Sequence, residues 1–170
     1  LAINVDDCAA PNVEHLCRKL CGKITSRAQR LVEICDRIGV KYGIPVTNKR
    51  IAISPVSTIL AGHGRSAAVQ VAKTLDRAAF DCRVDFVGGF SALVHKGISA
   101  GDEVVMNSLP DVLAQTHRVC ASVNLASRRA GINMDAVHQM GHIIKRIAEA
   151  TTAQRGFGCA KLVVFANIPE

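Results

Sequence analysis

At 170 residues, the chain is long enough for one domain with a substantial core, and 49% hydrophobic with 21% charged residues excludes a disordered polymer. No apolar run reaches the roughly 18 to 20 residues that span a bilayer, and no basic-then-hydrophobic leader opens the sequence, so a soluble cytoplasmic protein with no membrane partner is expected. The formal charge of +7 invites a nucleic-acid partner, but the five Phe and one Tyr fall mostly in apolar strands and helix faces rather than among the basic residues, which disfavours it for want of a stacking platform.

In chain order, Leu1-Ala2-Ile3-Asn4-Val5 reads as an opening apolar strand. After a turn at Asp6 to Pro11, apolar residues at Val13, Leu16, Leu20, Ile24, Ala28, Leu31, Cys35 and Ile38 predict one helix of about 30 residues, capped by Asn12 and stopped by Gly43 and Pro45. A second strand runs from Val46 to about Ser54. Gly62-His63-Gly64 connects it to a helix marked by Ala68, Val71, Ala72, Leu75 and Ala79. A third strand, Arg83 to Val87, ends at Gly88-Gly89.

Beyond it, Glu103 to Asn107 reads as a short strand, and Pro110 as the first turn of a brief helix reaching about Thr116. Val119 to Asn124 is the next strand. Asn133 caps a helix whose apolar row is Val137, Met140, Ile144, Ile147 and Ala148, and Lys161 to Ala166 is a final strand. This alternation predicts an α/β fold of repeated βα units around a mostly parallel sheet buried on both faces, either a barrel or a doubly wound sheet. Because the sequence opens and closes in strands, residues 1–170 are expected to be a single partial domain, an internal piece of a longer protein.

The seven cysteines include no Cys-x-x-Cys pair and no zinc-like spacing, which points to free thiols in a reducing compartment. His138-Gln139-Met140-Gly141-His142 has the two-histidine spacing of a zinc helix, but Gln139 stands where the general base would be and the histidines fall on the polar side. Neither a metal nor a cofactor is predicted.

Five blocks carry a resemblance: Gly43 to Arg50, Val84 to Val94, Ser122-Val123-Asn124, Gly131 to Met134 and Ala160 to Asn167. In this order they resemble the uncharacterised PFL family, domain-of-unknown-function family 711, over nearly the whole chain. The resemblance implies part of a PFL-like α/β barrel, ten-stranded when complete, as in pyruvate formate-lyase and anaerobic ribonucleotide reductase. It does not imply their chemistry. Glycyl-radical catalysis requires a dedicated glycine loop and a cysteine relay; this chain has no adjacent cysteines and no Arg-Val-x-Gly-Tyr-like loop.

Parallel strands bring their carboxyl ends to one rim, where ligands of α/β proteins bind. The candidate ligand residues there are Gly88 and Gly89, where bare backbone can approach a ligand, then Ser91, Ser54, Ser57, Asn107, Ser122 and Asn124, and His95 and Lys96 after the glycines. Such small neutral groups suit hydrogen bonding to an anionic or carbonyl-bearing metabolite better than proton transfer. Lys49 and Arg50 precede a strand and fall toward the opposite rim. The expected partners are a small polar metabolite, the remainder of the same protein and further copies of itself. An enzyme and a non-catalytic regulatory or assembly protein both fit this reading.

Overall fold

Strands that alternate between buried and exposed positions set the architecture. The computed structural model describes residues 1–169. Its elements run β1 (Ala2–Ile3), α1 (Val13–Ala28), α2 (Leu31–Tyr42), β2 (Arg50–Ile53), α3 (Arg65–Asp81), β3 (Phe86–Leu93), α4 (Ala100–Gln115), β4 (Val119–Asn124), β5 (Ala126–Ser127), β6 (Gly131–Ile132), α5 (Met134–Ala150), α6 (Phe157–Ala160) and β7 (Leu162–Phe165). One parallel sheet has the order β1-β2-β3-β4-β7, and β5 and β6 form a small antiparallel hairpin.

The strand order never doubles back. Right-handed crossovers between successive neighbours return each helix to the same side of a parallel sheet, so the helices gather on one face. There α1 packs on α3, α3 on α4 and α4 on α5. Ile3, Ile51, Ile53, Val87, Phe90, Ala92, Val119, Ala121 and Val123 are buried beneath this layer, together with Leu16, Leu20 and Ile24 of α1 and Leu109 and Leu113 of α4. Each fully buried Leu, Ile or Phe contributes about 1.5 to 3 kcal/mol of hydrophobic stabilisation. The opposite face carries Ala2, Arg50, Ala52, Phe86, Gly88, Cys120 and Ser122, all partly or fully exposed. Burial on both faces is therefore corrected: within the described residues, one face of the sheet is open.

Four further expectations are corrected. The single long helix is two, because Arg30 (φ −102°, ψ 0°) leaves the helical region; the buried row Leu16, Leu20, Ile24, Ala28 ends there, and α2 buries no residue. The strand expected at Glu103 to Asn107 belongs to α4, which begins in a capping box: the Asp102 amide donates to Ser99 Oγ (3.2 Å) and the Asp102 carboxylate accepts from the Ser99 amide (3.2 Å). Pro110 lies inside that helix rather than in its first turn. On α5 the buried row is Ala136, Met140, Ile143 and Ile147, whereas Val137, Ile144 and Ala148 are exposed. Asn133 does cap α5, accepting from the Ala136 amide at 3.1 Å.

Candidate ligand-binding rim

The two glycines lie inside β3, not at its end. Val87 pairs with Val119 and Gly88 with Cys120, but the next pair is Phe90 with Ala121, so Gly89 is the extra residue of a β-bulge. Its φ is +113°, and a Cβ there would overlap the Ile53 carbonyl and Cγ1. The Gly89 carbonyl is occupied, accepting from the Val56 amide at 3.0 Å. Gly89 thus serves close packing of β3 on β2, whereas a Cβ on Gly88 would meet only open space.

The bulge reverses which side chains face the helices. Counting by twos from Val87 would put Ser91 under the helix layer and Phe90 on the open face. With Gly89 inserted, Phe90 is buried in the core and Ser91 stands beside Ser122, Oγ to Oγ 2.7 Å. The same count carries Asn124 onto that face at the end of β4. Asn124 is buried, its Oδ1 accepting from the Ala126 amide (3.3 Å) and its Nδ2 donating to His95 Nδ1 (3.1 Å).

The loop bearing His95 and Lys96 is tied down at both ends. Val94 donates its amide to the Asn124 carbonyl (3.0 Å), and its own carbonyl accepts from Asn133 Nδ2 (2.7 Å). Asp102, buried at the start of α4, accepts from the Leu93 amide at 3.1 Å as well as from Ser99. Beyond β4, the β5–β6 turn carries the exposed Arg128 and Arg129.

A second polar group lies over β1 and β2. The Asp6 carboxylate accepts from Asn4 Nδ2 (2.9 Å), Thr58 Oγ1 (3.0 Å) and Ser54 Oγ (3.2 Å), and Ser54 Oγ itself accepts from the Val5 amide (2.9 Å). The bonds from Asn4 and Thr58, with that from Ser54, hold the Asp6 carboxyl below its ordinary range.

Of the residues read from the sequence, Ser91, Ser122, Asn124 and His95 come together, Lys96 follows in the same loop, and Ser54 joins the Asp6 group. Two are elsewhere. Asn107 is on the exposed side of α4, because its segment is helical, and Ser57 is buried with its carbonyl against Gly101 of α4. Asp6, Thr58, Arg128 and Arg129 were not singled out. Asp6 directly follows the apolar run Leu1 to Val5, a usable signal; the arginines sit in a two-stranded hairpin too short to leave a periodic trace.

On the open face nearer the amino ends, the paired row Ala2, Ala52, Gly88, Cys120 floors a hollow of about 390 Å³. Arg50 flanks it, its guanidinium 5.0 Å above the Phe86 ring, while Lys49 Nζ pairs with Asp36 at 3.1 Å. Burial pushes the Cys120 thiol up. Among the described residues, no group of three or more His, Cys, Asp or Glu is placed to hold a metal. His138 and His142 are exposed, their rings edge to face at 4.8 Å. No helix of the described residues is long and apolar enough to cross a membrane.

Sheet and rim together define an α/β protein with a parallel sheet layered by helices on one face and a hydroxyl-rich rim at the strands' carboxyl ends. The chain belongs to the family described as "Uncharacterised ACR (DUF711)", whose model matches residues 1–170. It is 52% identical over all 170 residues to a UPF0210 protein of Desulfovibrio desulfuricans, covering 37% of that protein, and 51% identical to one of Methanococcoides burtonii, covering 38%. The chain therefore spans less than two-fifths of the length of these curated relatives.

Proposed function

We propose that the chain forms part of a PFL-like α/β barrel, ten-stranded when complete, which binds a small polar metabolite at the carboxyl ends of its strands in a reducing cytoplasm. The observation that carries the ligand reading is the bulge at Gly89, which takes Ser91 out of the apolar core and sets it, itself buried, against the half-buried Ser122 on the other face of the sheet. Bulges commonly re-aim side chains next to functional sites. Support for the barrel comes from a parallel sheet with one uncovered face, an arrangement that needs a second layer or closure on itself. The remainder of the protein, by the length of its relatives, is large enough to provide it. All seven cysteines are unpaired, in keeping with a reducing compartment. No radical step is part of this proposal.

The test is a thermal-shift screen of the full-length protein against central metabolites, neutral and anionic. Wild-type stabilisation that disappears in Ser122→Ala, with that variant's unliganded melting temperature unchanged, is the expected result. Stabilisation by no compound, or stabilisation indifferent to Ser122→Ala, overturns it.

One observation favours an assembly role instead. Ile34, Ile38, Val40, Tyr42 and Ile44, on and just after α2, are all exposed. Contiguous exposed apolar surface marks interaction sites. Sedimentation of the full-length protein with Ile34→Gln and Ile38→Gln decides this reading: a change of oligomeric state supports it, and an unchanged one removes it.

A further inference from the structure

The rim has a sign. Among the described residues its carboxylates are Asp102, which accepts from the Leu93 and Ser99 amides and the Ser99 hydroxyl, the exposed Glu103 beside it, and Asp6, held by Asn4, Ser54 and Thr58 over β1 and β2. Asp135 lies in the first turn of α5, where the helix dipole favours a negative charge. Arg128 and Arg129 stand exposed in the β5–β6 turn beyond β4.

These loops are fixed relative to the hydroxyl pair. The Asn133 amide donates to the Leu125 carbonyl (3.0 Å) while its Nδ2 holds the Val94 carbonyl, which joins the hairpin to the loop carrying His95 and Lys96. Within the turn, Ser127 Oγ accepts from the Ala130 amide (3.1 Å), and the Arg128 amide donates to the Ile168 carbonyl (3.1 Å). Two consecutive arginines are therefore presented from a braced turn a few residues beyond Ser122 and Asn124. Guanidinium groups match carboxylate and phosphoryl oxygens with paired, charge-assisted hydrogen bonds.

We infer that the β3–β4 side of the rim takes an anionic small molecule bearing a carboxylate or phosphoryl group, with Arg128 and Arg129 engaging the anion and the Ser91–Ser122 pair its uncharged oxygens. This rests on the metabolite-binding reading of the same rim and gives it a ligand class.

The experiment is calorimetric titration of full-length protein with inorganic phosphate, succinate and erythritol at constant ionic strength of about 0.15 M, where distant charges are screened. The double variant Arg128→Gln/Arg129→Gln is compared with Arg27→Gln/Arg30→Gln, which removes equal charge at the far end of α1. The expected result is saturable binding of phosphate or succinate, weakened at least tenfold in the first variant and unchanged in the second. Equal weakening in both, or in neither, overturns the inference. Erythritol binding that requires Ser122, without anion binding, overturns the anionic class while the ligand-binding rim stands. If no probe binds and the metabolite screen is also blank, both fail together.

Discussion

Gly89 and Lys161 show how single residues carry this fold. Gly89→Ala places a Cβ against the Ile53 backbone at a positive φ, and is expected to cost about 2 to 4 kcal/mol in urea unfolding of the full-length protein. Gly88→Ala, facing open space, is expected to change stability by less than about 1 kcal/mol. The buried Lys161 donates from Nζ to the Leu113 carbonyl (2.8 Å) and to that of Thr116, tying off the end of α4. Lys161→Met strands both acceptors, and a loss of about 2 to 4 kcal/mol is expected. Burial holds the Lys161 ammonium below its ordinary value of 10.5. The unfolded chain then binds more protons in the window between the depressed value and 10.5, so this group's contribution to stability rises with pH across it. Urea midpoints of wild type and Lys161→Met through that window test the sign: the wild-type slope should be the more positive.

Among the elements, α4 separates what was legible in the sequence from what was not. The run Glu103-Val104-Val105-Met106 has β-branched residues and no obvious period, and it reads as a strand; the Ser99-x-x-Asp102 box was the signal that outweighs it. Asp102→Ala removes both the box and the bond to the Leu93 amide, and a loss of about 2 to 3 kcal/mol is expected at the urea midpoint. Strands β4 and β7 and the Asn133 cap were legible because strong local signals agreed with tertiary packing. The break at Arg30 was not, since apolar spacing continues through Leu31, Cys35 and Ile38 after the buried surface has ended. The rim's serines were legible as strand-end positions, but their pairing depends on a register shift that no periodicity reveals.

For the whole molecule, sidedness was the property that strand sequences left open. Short apolar runs such as Ile51-Ala52-Ile53 fit a sheet covered on both faces, and only the strand order shows that the helices share one. Phe86, Leu93, Val163 and Phe165 consequently lie on or beside uncovered surface, with the exposed apolar side chains of α2 nearby in sequence to β2. Expressed without the rest of its relatives' length, the 170-residue chain is expected to self-associate, read as polydisperse sedimentation. A single monomeric boundary with cooperative unfolding would count against an open sheet face of this kind.

The bulge at Gly89 also makes β3 unusually sensitive to its pairing register. Most substitutions in a strand alter one contact, but drawing Gly89 into regular pairing with β4, so that no residue is left out of the ladder, would shift the phase of everything after it. Phe90 would swing outward, Ser91 would be driven beneath α4, and the hydroxyl pair with Ser122 would vanish with no change to either serine. The strand therefore behaves as two segments of opposite parity joined at a glycine, and the chemistry of the rim depends as much on that glycine staying out of the ladder as on the identity of the serines.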